Sequence, residues 1–205
     1  MSIHFHGVAN PHRRRVEAYA EATYERAFEG HIRGHYPNMM SLEGQDGTIH
    51  ATVGFRIADQ GPLYLEYYLD APIEQAVGQS LGTHVQRRQI AEIGNLASNR
   101  PGASLFLFMA LAKHLDQQAC THAVATATRQ LRRTFRRLDF DTQLLAPAMA
   151  SRLGDDALDW GGYYSRDPEV LFGAIAPALP RLGRILIGNT GNEACKLDRF
   201  EGAMQ

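Results

Sequence analysis

Glu92 is the residue of this sequence best placed to do chemistry. It stands inside an otherwise apolar run, Gln89-Ile90-Ala91-Glu92-Ile93-Gly94-Asn95-Leu96-Ala97-Ser98. The segment Asn99-Arg100-Pro101-Gly102-Ala103-Ser104 follows at once and opens a very hydrophobic helix. A strand that feeds a loop and then a helix N-terminus makes an anion cradle, because free backbone N–H groups and the positive end of the helix dipole both face the loop. A carboxylate and a phosphate cradle on adjacent elements point to group transfer from a phosphate-bearing carrier. On a strand, Ile90, Glu92, Gly94 and Leu96 share one face and Asn95 lies on the other. An acid on the mostly apolar face of a central strand is costly unless it is paired or used. Glu92 is therefore either a general base that takes a proton from an attacking amine, directly or through water, or a structural partner for an arginine, or it lies near the sheet edge. Asn95 either orients substrate or satisfies backbone. Gly102 either lets a pyrophosphate approach the backbone closely or simply turns the chain after Pro101.

Five arginines, Arg129, Arg132, Arg133, Arg136 and Arg137, recur at the spacing of one helix face, with Leu131, Phe135 and Leu138 on the other. No acid is interleaved, so the guanidinium groups repel one another unless an anion answers them. The phosphate of coenzyme A or the acidic helix of a carrier protein would do so, ahead of nucleic acid; a plain solvated face is the alternative. Tyr163 and Tyr164 offer a hydroxyl as donor or acid, or pack a core edge with the hydroxyl wet. His31 and His35 lie four apart, but Gly30 and Gly34 interrupt the helix that a metal pair would need. Cys120 reads as a small core residue.

These groups need elements to hold them. Residues 12–33 read as a helix with Val16, Ala20, Thr23, Ala27 and Phe28 near one face, broken up by Gly30, Gly34 and Pro37. Beyond the Asp46-Gly47 turn, Ile49, Ala51, Val53, Phe55 and Ile57 alternate with His50, Thr52, Gly54 and Arg56, which predicts a half-buried strand. A turn at Asp59-Gln60-Gly61-Pro62 leads to a second strand over 63–69, paired as a hairpin. Pro72 starts a short helix at 73–77. The Glu92 strand, a buried helix over 103–118, a β-prone run at 121–128 and a helix over 129–138 follow. Residues 144–153 read as helical, 160–164 as strand or loop, and 168–182 as helical despite Pro177 and Pro180. From Gly188 the chain is polar and Gly-rich. The order predicts an α+β fold, its sheet antiparallel first and parallel in the middle, with one domain over 1–187 and a loose tail over 188–205.

Composition sets bounds on partners. With 205 residues the chain is one domain, or one domain with a tail. A net charge of −1 argues against wholesale nucleic-acid binding. Two cysteines, Cys120 and Cys195, make no disulfide framework, which points to a reducing compartment and a cytoplasmic protein. The N-terminus has no basic-then-apolar signal pattern. The longest apolar run, Ala103 with 105–111, falls far short of the ~20 residues that span a bilayer.

The loop 99–104 resembles the acyl-CoA loop of the GNAT acyltransferase superfamily, Gln/Arg-x-x-Gly-x-Gly/Ala, with Asn99 at the first position and Ser104 as the small last residue. A second resemblance covers most of residues 50–173. Gly54-Phe55-Arg56, Leu65-Glu66-Tyr67-Tyr68-Leu69-Asp70-Ala71-Pro72-Ile73-Glu74, Glu92 to Ser98, Ala127-Thr128-Arg129-Gln130-Leu131-Arg132, Phe135-Arg136-Arg137-Leu138 and Trp160-Gly161-Gly162-Tyr163-Tyr164 resemble signature blocks of the thermostable haemolysin family. That family is similar to GNAT-like acyltransferases, including autoinducer synthases and N-acyl amino acid synthases. The resemblance implies a GNAT-like fold, a mixed central sheet flanked by helices. It implies an N-acyltransferase that moves an acyl group from acyl-CoA or acyl carrier protein to an amine such as an amino acid, with no metal and no tightly bound cofactor. Glu92, Asn95 and Tyr164 would be catalytic. Asn99, Arg100, Gly102, Ala103, Ser104, Arg132 and Arg133 would hold the donor.

The sequence also departs from these patterns. Many GNAT enzymes carry Tyr-x-x-x-Gly-Phe at the end of the fourth helix, the Tyr protonating the leaving thiolate. Here Phe135 stands for the Tyr and Asp139 for the Gly. Autoinducer synthases have Glu-x-Ser-Arg where this chain has Glu92-Ile93-Gly94-Asn95, so homoserine-lactone synthesis from S-adenosylmethionine is not implied. Two other expectations follow from the family name and the missing Tyr. One is a membrane-active, lytic protein, although the chain has no strongly amphipathic lytic segment. The other is an acyl-ligand-binding module that keeps the fold without catalysis.

Overall fold

Seven strands lie in a single sheet in this computed structural model, which describes residues 1–100 and 102–189, with side chains described up to residue 185. They are β1 (Ser2–His6), β2 (Asn38–Glu43), β3 (Ile49–Ile57), β4 (Ile90–Ser98), β5 (His122–Ala127), β6 (Thr142–Pro147) and β7 (Glu169–Ala174). Five α-helices connect and cover them: α1 (Arg13–Phe28), α2 (Ile73–Leu81), α3 (Ala103–Gln117), α4 (Arg129–Arg137) and α5 (Ala178–Asn189). The sheet order is β1-β2-β3-β4-β5-β7-β6. Every neighbouring pair is antiparallel except β4–β5. The crossover between those two parallel strands is α3, as parallel neighbours need a connection of that length.

Burial on both faces fixes the layers. One face packs Met40, Leu42, Phe55 and Ala91 against Leu107, Leu111 and Leu115 of α3. Leu105 and Phe108 of α3 continue that layer against Leu131 and Phe135 of α4 and Leu182 of α5. The other face packs Met39, Ile49 and Ala97 against Val16 and Ala20 of α1. Beside it, Leu65, Ile73, Val77, Ile90, Val124 and Phe172 form a further cluster. No helix among the described residues is long and apolar enough to cross a membrane.

The elements that follow hydrophobic periodicity fall where expected: β3, the start of α2, β4, α3, β5, α4 and α1, although α1 ends at Phe28, short of the expected residue 33. Four expectations are corrected. Residues 63–69 are not a hairpin strand; Tyr64–Tyr68 is a 3₁₀ turn. Two carboxylates take the backbone N–H groups a ladder would have used: Glu92 accepts from Tyr64 and Leu65, and Glu66 from Leu63 and Ile73. Residues 144–153 are not one helix, because β6 occupies Thr142–Pro147 as the sheet edge and a short 3₁₀ turn follows at Ala150–Arg152. Residues 168–182 are not one helix either. Val170, Leu171 and Phe172, all buried, form β7 inside the sheet, and α5 begins only at Ala178. Residues 160–164 are neither strand nor loop but part of a 3₁₀ stretch, Gly154–Arg166, kinked at Gly161. There φ is +50°, and a Cβ would lie 2.5 Å from the Glu29 carbonyl oxygen. Strands β1 and β2 are additions: β1 alternates polar and apolar residues but over five positions only, and β2 carries no clear alternation. The expected tail from 188 lies outside the described residues beyond Asn189, and its first two residues close α5.

Candidate active site

The parallel ladder is short. β4 and β5 pair from Ile90↔His122 to Ile93↔Ala125 and then part. β5 stays with β7 up to Ala127↔Glu169, while β4 stays with β3 up to Ser98↔Ala51. A β-bulge drives the parting: Asn95 and Leu96 together face the single residue Val53, and Asn95 has a left-handed φ of 45°. The bulge also corrects the facing expected from simple alternation. Leu96 joins Ile93 in the α3-side core. Asn95 turns to the Glu92 side, 6% exposed, where its Oδ1 accepts from the Tyr36 N–H at 3.4 Å.

Two cavities meet at this gap. The first, about 410 Å³, lies between the sheet and α3, α4 and α5. Its walls are mainly apolar, with Leu96, Phe108, Leu111, Leu131, Phe135, Phe140 and Leu182 among them, and Ser98 and Ser104 belong to its lining. The second, about 700 Å³, lies on the opposite face, among Tyr36, Arg56, Tyr64, Glu92, Asn95, Asp159 and Trp160. Tyr24, Ile93, Gly94, Thr126 and Tyr163 line both. An apolar chamber and a polar, aromatic chamber therefore open onto the same two residues of β4, where the parallel strands separate.

Glu92 sits at the floor of the polar chamber, 2% exposed. Its two oxygens accept backbone N–H bonds from Leu65 at 2.8 Å and Tyr64 at 3.0 Å, and the Tyr36 hydroxyl lies close by. Burial pushes its carboxyl above the ordinary glutamate value, and the two amide hydrogen bonds, the nearby Tyr36 hydroxyl and Arg56, its cross-strand neighbour, only partly offset this. Tyr64 bonds to the Trp160 indole at 2.8 Å, and burial pushes its phenol up to about 12.

The donor side is built from the 99–104 loop. Gly102 caps α3 with φ 79°, a left-handed conformation that suits glycine. The Asn99 N–H is held by the Tyr19 hydroxyl at 3.0 Å and the His50 carbonyl at 3.2 Å, which ties the loop to α1 and β3. Arg100 is exposed, and Ala103 is buried under the cap.

Three expected site residues are placed differently. Tyr164 lines neither cavity; its hydroxyl bonds to that of Tyr68 at 2.6 Å. Its neighbour Tyr163 lines both and donates to the Thr126 carbonyl at 3.1 Å. Arg132 is not waiting for an anion. It pairs with Asp167 at 2.7 Å and with Glu169 at the start of β7, and Arg129 reaches Asp167 at 3.4 Å. Those acids come from a distant part of the chain, so the arginine stripe alone could not reveal them. Arg133 lies with Arg136 and Arg137 on an outer patch and lines neither cavity. Those three make no ion pair among the described residues. Phe135 packs against Phe108 and Phe140, so no hydroxyl is supplied at that position. Tyr36 is the site residue that sequence reasoning missed, because it sits in an irregular stretch between α1 and β2 with no periodicity to mark it. Cys120 is buried, as expected of a core residue, and its thiol is pushed up to about 11. No cluster of metal-binding side chains occurs among the described residues.

The sheet and its parting strands define an α+β, GNAT-like fold shared with acyltransferase structures. The chain superposes on FeeM, an N-acyl amino acid synthase from uncultured soil microbes, with a TM-score of 0.60 at 14% identity, covering 88% of this chain and 99% of that one. BjaI, a CoA-dependent acyl-homoserine lactone synthase with SAM and isopentyl-CoA, gives 0.60 at 13% over 90% of this chain and 88% of that one. TofI in an apo form gives 0.59 at 13% over 89% and 97%. No curated protein matches the sequence. Residues 6–179 match the thermostable hemolysin family, and the chain belongs to that family.

Proposed function

We propose that the protein is an N-acyltransferase that moves an acyl group from an acyl thioester, carried by coenzyme A or an acyl carrier protein, to an amine such as an amino acid. The observation that supports it most is the meeting of the two cavities at Ile93 and Gly94. A thioester carbonyl placed there has an apolar chamber for its acyl chain on one side and a polar chamber for an amine on the other. The pantetheine arm runs along β4 toward the α3 N-terminus, whose dipole and amides suit phosphate. Beyond Ile93, β4 has no ladder partner on β5. Its backbone N–H groups on that edge are free to stabilise the oxyanion of the tetrahedral intermediate. Glu92 is the group that receives the amine proton. Arg133, Arg136 and Arg137 suit an acidic carrier protein, which would dock by charge and not through the cavities.

The experiment is mass spectrometry of thioester consumption by the full chain, across acyl lengths and a panel of amines. An amine-dependent acyl product supports the proposal. Liposome leakage without thioester turnover would favour a lytic protein, and donor retention without turnover a binding module.

A further inference from the structure

Tyr36 occupies the centre of the site, although the reaction as described does not use it. It belongs to the stretch between α1 and β2, where Arg13, itself 8% exposed, donates to the Tyr36 carbonyl at 2.6 Å and the Pro37 carbonyl at 2.7 Å. Its ring lies across the cross-strand pair Gly54↔Gly94. A Cβ on Gly94 would fall 2.5 Å from the Tyr36 hydroxyl oxygen, and one on Gly54 would fall 2.9 Å from its ring. Two glycines facing each other thus make the slot that seats this ring. Gly94 is also a residue onto which both cavities open, so the hydroxyl stands over their junction. It lies beside the Glu92 carboxylate, whose oxygens are already held by the Tyr64 and Leu65 amides. Tyr36 and Glu92 both line the polar chamber, so an amine that enters it meets the phenol and the carboxylate together.

We propose that Tyr36 is a catalytic residue whose hydroxyl carries the proton between the acceptor amine and Glu92, and then back to the leaving sulfur. This rests on the acyltransferase reading. The amine nitrogen bonds to the thioester carbonyl carbon. Its surplus proton passes to the Tyr36 oxygen as the Tyr36 proton passes to the Glu92 carboxylate. The C–S bond then breaks with its electron pair on sulfur. The proton returns from Glu92 to Tyr36 as the Tyr36 proton moves to the thiolate. Amide and thiol are the only products, and both side chains end as they began. Burial and the neighbouring Glu92 charge raise the phenol well above its ordinary value, so the two transfers are concerted and no free phenolate forms. The same hydroxyl supplies the acid that Phe135 does not.

Tyr36→Phe keeps the ring in its slot and removes the carrier. Steady-state assays of the full chain, with a thioester and amine that wild type uses, should show kcat lowered at least ~10²-fold with the donor KM unchanged. A second variant keeps ring and hydroxyl: 3,5-difluorotyrosine at position 36, which makes the phenol more acidic. Its alkaline limb of kcat against pH should move to lower pH, a shift that a purely structural tyrosine would not produce. If Tyr36→Phe does not fold, the fluorinated protein decides. A folded Tyr36→Phe with wild-type kcat, or a fluorinated protein with an unmoved pH profile, overturns the relay and leaves the acyltransferase reading standing. A wild type that consumes no thioester with any amine overturns both.

Discussion

At the scale of single residues, Glu92 serves the fold and the chemistry together, and its titration separates the two. An unfolded glutamate titrates near about 4.3, and burial raises the folded value above that. Between those values the folded state binds more protons, so this residue's contribution to stability is fully present below the unfolded value and falls as pH rises through the window. Glu43 and Glu66 have the opposite sign. Both are held below the ordinary range, in spite of burial, by hydrogen bonds, with Arg15 beside Glu43 and Arg87 beside Glu66, and the stability they confer is lost as pH falls. Glu92→Gln should therefore isolate one term. In urea titrations, wild type should lose stability relative to the variant as pH rises from about 4.3 upward, and a difference that stays flat with pH would contradict the raised value. In turnover, Glu92→Gln should cost ~10²–10⁴ in rate and be partly rescued at higher pH, where more of the amine is already neutral. Wild-type turnover at neutral pH would remove Glu92 from the reaction.

At the scale of elements, the bulge in β4 and the cap of α3 arrange the site. Gly94→Ala would press a methyl group into the Tyr36 ring, and overpacking of this kind costs about 1–3 kcal/mol. Chemical denaturation should show that loss; an unchanged midpoint would mean that Tyr36 does not fill the slot. Replacing Gly102 by a bulky residue should weaken donor binding at least ~10-fold, about 1.4 kcal/mol, by calorimetry. On α4 the arginines divide. Arg132→Glu would face Asp167 and Glu169 and should lower the thermal midpoint, whereas Arg133→Glu and Arg136→Glu should leave it in place and slow association with an acidic carrier protein at low salt. Equal rates across a salt series would leave that patch a solvated face. Periodicity made β3, β4, α3 and α4 legible, since one face of each is apolar and the sequence shows it. The bulge was not legible, because nothing in Gly94-Asn95 announces that Asn95 adopts a left-handed conformation. The turn at Tyr64–Tyr68 was hidden for another reason. Its apolar alternation suits a strand, and two carboxylates, one of them remote in sequence, override it. The partners of Arg132 and the seat of Tyr36 are likewise long-range facts that no local pattern records.

At the scale of the whole molecule, the apolar chamber is bounded by the sheet on one side and three helices on the others, so its length should set the preferred acyl chain. Each methylene that enters should add about 0.8 kcal/mol of donor affinity until the chamber is full, and nothing beyond. A chain-length series by calorimetry would show a rise and then a plateau. Affinity independent of length would exclude the chamber as the acyl site. The polar chamber is bounded differently. Its outer wall includes residues 31–36, which form neither helix nor strand and are held to the rest mainly by side chains. Arg13 holds the Tyr36 and Pro37 carbonyls, the His31 N–H reaches the Asp159 carbonyl, Arg33 pairs with Asp159, His35 reaches Glu21 at 2.9 Å, the Tyr36 N–H donates to Asn95, and Ile32 packs on the α1 cluster. None of these bonds belongs to the sheet ladder. This wall should therefore open locally before the sheet does, and its amide protons should exchange with solvent before those of β4 and β5, which hydrogen exchange would read directly. Arg13→Lys, which gives up the forked grip, would speed that exchange locally and leave the strands as slow as before, turning the rim of the acceptor chamber into a hinged door.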